Sequence, residues 1–126
     1  MNNKFEYAVD SEIIKKMKCK TIELPIYTCS VNFIFGDDAI KLEKSWGKRT
    51  SGFGGLTRNF LKDNGTVLIS FPDKKPKLEY VVHELHHAVD MIINDIGHKK
   101  DPEGDEPSAY LIGYLISEYL KIKKNK

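Results

Sequence analysis

The chain has 126 residues and a mass of 14.4 kDa, with 40% hydrophobic and 30% charged residues. These values predict one domain, 1–126, with a core of its own, and no apolar run approaches the roughly 18 residues of a transmembrane helix. The formal net charge of +2 depends on four lysines in the last six residues, without which 16 basic side chains stand against 18 acidic ones. This basic helix end does not resemble a nucleic-acid-binding face, so we expect neither a nucleic-acid nor a membrane partner.

The N-terminus and the cysteines favour a cytoplasmic protein. The segment Met1–Glu6 lacks the apolar run of a secretory signal. Two cysteines, Cys19 and Cys29, are too few for a disulfide scaffold, and we expect both as reduced thiols.

The first part of the chain predicts a short helix followed by strands. Residues 10–17 favour the helix, since Ile13, Ile14 and Met17 share a face. Strands are expected at 21–24, 27–35 and 66–71, with a break at Pro25 and turns at 36–38 and 64–65. The glycine-rich stretch 47–55 is either a mobile loop or a tight turn, and Trp46 with 50–56 could form a lid. We expect an α+β fold with an N-terminal helix and a small, mainly antiparallel sheet.

Two helices are predicted in the last third of the chain. An apolar arc with helical period spans 77–96, followed by Gly97 as a natural C-cap. A polar loop leads to a second helix at 106–122, with Pro107 in its first turn. Ala109, Gly113 and Ser117 form a stripe of small residues, which predicts a close approach to the neighbouring helix.

The first of these helices carries the motif H-E-x-x-H as His83-Glu84-Leu85-His86-His87. Histidines at i and i+4 lie one turn apart, so both imidazoles can bind one metal ion, with Glu84 beside them as a general base. The apolar arc lies on the opposite side of the helix, which buries one face and leaves the ligands at a cleft. His86 is expected at the edge of that cleft.

A catalytic zinc usually has three protein ligands. The candidates for the third follow the first helix: His98, Asp101, Glu103, Asp105 and Glu106.

The segment 77–120 resembles the gluzincin branch of the zincin metallopeptidases. In that branch a glutamate on a second helix is the third zinc ligand, and Glu106, with eighteen residues between it and His87, matches that position. Asp105 remains the rival, because helix starts are uncertain by a residue or two. The segment 105–110 is also similar to small zincins of phage and prophage genomes, which would place the chain in a bacterial host cytoplasm.

The chain departs from the larger gluzincins four positions after the ligand glutamate, where they carry an acidic residue and this chain has Tyr110. Tyr110 could donate a hydrogen bond to an oxyanion in catalysis, or it could be a core aromatic, which is the favoured alternative. Orientation of the histidines could instead depend on Asp90 or on a backbone carbonyl.

The resemblance implies a minimal zincin-like domain that hydrolyses a peptide or amide bond. Zn²⁺ held by His83, His87 and Glu106 would activate water, with Glu84 accepting its proton. In zincins an edge strand binds the extended substrate, and the strand 66–71 is the candidate for that role. The small size favours narrow specificity for a peptide or protein. The alternative is a catalytically silent zincin-fold module that binds a protein.

Overall fold

The computed structural model describes residues 19–45, 54–97 and 106–124. Within these ranges the chain is α+β, with a four-stranded mixed sheet and three helices. A 3-10 turn at Pro25–Tyr27 and a single helical turn at Leu61–Asn64 complete the elements. The predicted helix at 10–17, the stretch 46–53 and the loop 98–105 lie outside the described residues.

The strands are β1 Lys20–Leu24, β2 Cys29–Phe35, β3 Leu56–Phe60 and β4 Thr66–Phe71, in the order β1-β2-β4-β3. β1 is antiparallel to β2, and β3 is antiparallel to β4. The central strands β2 and β4 are parallel, so the sheet is mixed. All six residues of β4 are buried, as is typical of a strand covered on both faces.

The helices are α1 Asp37–Ser45, α2 Leu78–Asp95 and α3 Glu106–Lys124. α2 lies within the expected 77–96 and is followed by Gly97 at φ 80. α3 begins at the expected residue and extends two residues beyond 122. The sequence did not predict α1: Gly36, at φ 69, makes the expected turn, but Asp37 and Asp38 already belong to the helix.

The sheet separates two apolar clusters. The larger cluster lies between the sheet and helices α2 and α3, and includes Val31, Phe33, Val67, Ile69, Leu85 and Leu115. The smaller lies under α1 and includes Ile34, Leu42 and Leu68. Neighbouring residues of β2 and β4 thus contribute to opposite clusters, because successive side chains of a strand point to opposite faces.

The packing of α3 contradicts one prediction from the sequence. Ala109, Gly113 and Ser117 are all exposed. The helix packs instead through a larger apolar set, with Leu111, Leu115 and Tyr119 in the main cluster. The small-residue stripe therefore does not mediate close helix packing; the burial of larger side chains determined which face of α3 meets the core.

Candidate metal centre

Helix α2 presents its histidines on the side away from the core. Val81, Leu85 and Ala88 are fully buried, whereas the His83 side chain is 66% exposed. His87 lies one turn further along and is also exposed. The helical period that buries the apolar face therefore places both imidazoles at the surface.

The two imidazoles approach each other through the nitrogens that commonly bind metals. His83 Nε2 and His87 Nε2 are 3.2 Å apart, and the ring planes are nearly perpendicular, at 85°. Zinc–imidazole bonds of about 2.0–2.1 Å in tetrahedral geometry place two ligand nitrogens about 3.3 Å apart. The pair thus fits two ligands of one zinc ion; without metal, one ring can donate its N–H to the other.

Glu84 lies beside the pair but is directed towards the sheet. It is only 6% exposed, and its Oε2 lies 3.9 Å from His83 Nε2. Its other oxygen, Oε1, accepts a hydrogen bond of 2.6 Å from the Thr57 hydroxyl on β3. The carboxylate is therefore held between the edge of the sheet and the imidazole pair.

The approach of β3 to Glu84 depends on a glycine just before the strand. A Cβ atom at Gly55 would lie 2.8 Å from Glu84 Cγ and 2.9 Å from the Phe71 ring. Real side-chain contacts are not that short, so only glycine fits here without a shift of its neighbours. Sequence reasoning missed both Gly55 and Thr57 as site residues. Gly55 belonged to a glycine-rich stretch that could be either a mobile loop or a tight turn. Thr57 was missed because no sequence pattern connects a single threonine with a glutamate 27 positions away.

The structure corrects the predicted substrate strand. Residues 66–71 form β4, which pairs with β2 on one side and β3 on the other. The backbone hydrogen-bonding groups of such a strand are used within the sheet and cannot pair with a substrate. Among the described strands, β3 is the edge strand beside α2.

The third ligand is not established by the described side chains. Among them, no three His, Cys, Asp or Glu residues come together in a way that could hold a metal ion. Glu106 is the first residue of α3, but its side chain lies outside the described part of the structure. The rival candidates Asp105 and His98 lie outside it as well.

Tyr110 is not a core residue. It is 74% exposed and lines a groove of about 430 Å³ with Ile26, Tyr27 and Tyr114. The favoured core role is therefore wrong, because the buried face of α3 is supplied by other side chains. Its catalytic role remains a prediction.

The third histidine of the motif is exposed, and the two cysteines are partly buried. His86 is exposed, and its Nδ1 lies 3.6 Å from Asp90 Oδ2. Cys19 and Cys29 are free thiols. Burial, with a smaller contribution from Asp38, raises the pKa of Cys19 to about 11, and burial is also the largest cause of the raised pKa of Cys29. Neither thiol is poised as a nucleophile at neutral pH.

Comparisons with models of known protein families, with curated proteins and with solved structures gave no match. None of the described helices has both the length and the apolar character needed to cross a membrane.

Proposed function

We propose that this chain is a zinc-dependent hydrolase, a narrowly specific metallopeptidase of the zincin type that cleaves a peptide or amide bond in a bacterial cytoplasm. The observation that carries the proposal is the 3.2 Å separation of His83 Nε2 and His87 Nε2 beside the Glu84 carboxylate. A purely structural zinc site has no need of a held carboxylate next to its ligands.

His83 and His87 would hold the metal together with Glu106 from α3. The bound ion would supply a Lewis acid that polarises a carbonyl and makes water more acidic. Glu84 would accept the proton of the attacking water and pass it to the leaving amine. Its buried position, with Oε1 already hydrogen-bonded, leaves Oε2 on the side of His83 for this task.

The position of β3 supports a peptide as the substrate. Thr57 on this edge strand touches Glu84 directly. A peptide extended along β3 would therefore pass beside the general base, with main-chain hydrogen bonds giving much of the affinity.

The first experiment measures the zinc content of protein purified without a His tag or added metal. About one zinc per chain is expected for the wild type, and His83→Ala and His87→Ala should lose it. His86→Ala is the matched control, because it removes a neighbouring imidazole outside the pair and should keep the metal. No zinc in the wild type, even after reconstitution, would contradict the metal site. Zinc retained in Glu106→Ala would indicate that the third ligand is Asp105 or His98 instead.

Glu84→Gln tests the reaction separately from the metal. The amide keeps the size of the side chain but cannot accept a proton, so the variant should bind zinc and lose hydrolysis of any peptide that the wild type cleaves. A peptide library incubated with both proteins and analysed by mass spectrometry provides the measurement. Full cleavage by the variant would refute the role of Glu84.

The alternative is a catalytically silent module that binds a protein. It is favoured by the apolar groove at Tyr110 and Tyr114, beside which Ile26 is 85% exposed. Zinc binding without cleavage of any library peptide, by wild type and Glu84→Gln alike, would favour this alternative.

A further inference from the structure

Two consecutive residues of β3 contact carboxylates on opposite faces of the sheet. Thr57 faces α2, where its hydroxyl donates to Glu84 Oε1 at 2.6 Å. Arg58 faces α1, where its Nε lies 3.2 Å from both carboxylate oxygens of the fully buried Glu43. The strand is thus attached to both helical layers at adjacent positions.

The Thr57 hydroxyl has two possible acceptors on the same residue. Its oxygen lies 2.6 Å from Glu84 Oε1 and 3.3 Å from the Glu84 backbone carbonyl. A hydroxyl donates one proton, and the shorter distance to a charged acceptor makes the carboxylate the stronger partner. The hydrogen bond therefore selects one of the two carboxylate oxygens.

From this contact we infer that Thr57 is a positioning residue for Glu84, holding Oε1 so that Oε2 is presented towards the imidazole pair. The close approach at Gly55 confines the Glu84 Cγ from the side of the strand, while Thr57 fixes the head of the side chain. Together these contacts define a single rotamer of the Glu84 side chain about χ1 and χ2, and with it the place of the carboxylate beside the imidazole pair. The inference rests on the proposed function, since orientation matters for the reaction only if Glu84 is the general base.

The test is Thr57→Val in the full-length chain, with a readout that does not require a substrate. Valine has the shape of threonine and favours strands, so the variant removes the hydroxyl while keeping the packing. Three-bond couplings across χ1 and χ2 of Glu84, measured by NMR on isotope-labelled protein, report whether the side chain occupies one rotamer. We expect single-rotamer couplings in the wild type and loss of these values to rotamer averaging in Thr57→Val.

Two further variants control the result. Thr57→Ser keeps a hydroxyl and should restore the single-rotamer couplings. Thr21→Val removes a strand hydroxyl that contacts Asn32 instead of Glu84 and should leave the Glu84 couplings unchanged. Unchanged couplings in Thr57→Val, or averaging in Thr57→Ser equal to that in Thr57→Val, would overturn the inference.

Kinetics add a second readout on any peptide that the wild type cleaves. Misplacing a reacting group by about 1 Å can cost about 100-fold in rate, so kcat should fall 10- to 100-fold in Thr57→Val with KM unchanged. The zinc content should stay at the wild-type value, because no proposed ligand is altered. Failure of the proposed function would show in Glu84→Gln and in the zinc content, whereas failure of the positioning role would show in the Glu84 couplings.

Discussion

Gly55 determines how closely β3 can approach the Glu84 side chain. Gly55→Ala would place a methyl group within 3 Å of both Glu84 Cγ and the Phe71 ring. Overpacking of this kind typically costs about 1–3 kcal/mol, and here it should also lengthen the contact between Glu84 and Thr57. We expect the free energy of unfolding, measured with urea, to fall by about that amount.

Gly113 provides the matched control for this substitution. It lies on the exposed face of α3, and a Cβ atom there would meet nothing within 4 Å. Gly113→Ala should therefore stabilise the protein, by up to about 1 kcal/mol, since alanine is the better helix former. An equal change in the free energy of unfolding in both variants would show that the effect at Gly55 does not arise from the close approach to Glu84.

Attachment of β3 to α1 depends on a buried ion pair. Glu43 accepts hydrogen bonds from Arg58 and, at 3.0 Å, from Ser70 Oγ on β4. Glu43→Gln removes the negative charge of a largely buried ion pair, which should cost about 3 kcal/mol. Ser70→Ala, which removes one neutral donor, should cost only about 1 kcal/mol.

The double variant Glu43→Gln/Arg58→Met distinguishes the interaction between the two side chains from the packing of each side chain by itself. Because both partners are removed, its destabilisation in urea should be smaller than the sum of the two single variants by about 1–3 kcal/mol. Additive losses would mean that Arg58 and Glu43 stabilise the sheet independently, and that β3 is not held through this ion pair.

The elements that the sequence predicts well are those with a long periodic pattern. The apolar arc of α2 correctly places Val81, Leu85 and Ala88 in the core and His83 outside it. Helix α1 was missed because it is short, and its nine residues bury only Ala39, Leu42 and the charged Glu43. The burial of Glu43 depends on its contact with the Arg58 side chain. The local sequence around α1 does not reveal that contact.

The pairing of strands and the contacts of the site are less predictable from sequence. An apolar segment such as 66–71 indicates a strand, but its central position, parallel to β2, depends on the rest of the sheet. For the same reason the motif identifies Glu84, whereas its partner Thr57 lies on a different element and is found only when β3 packs beside α2.

Tyr119 connects α3 to the sheet, and its hydroxyl makes the stability of the fold depend on pH in the alkaline range. Its ring packs edge-on against Phe33, with centroids 5.5 Å apart. Burial raises the pKa of its hydroxyl to about 12 from an ordinary value of 10.0. The folded state therefore binds this proton more tightly than the unfolded chain does, and the resulting stabilisation is complete below pH 10.

This contribution should be lost as the pH rises from about 10 to about 12. Allowing for solvent screening, the loss should be about 1–2 kcal/mol in the free energy of unfolding. The measurement is urea unfolding of the wild type and Tyr119→Phe across this range, since phenylalanine keeps the ring but cannot ionise. The wild type should lose stability relative to Tyr119→Phe as the pH rises through this range, because only the wild type has a hydroxyl to ionise at this position. A constant difference for Tyr119→Phe would mean that its hydroxyl ionises equally well in the folded and unfolded chain, and that the closure of α3 over the sheet does not shield it from water.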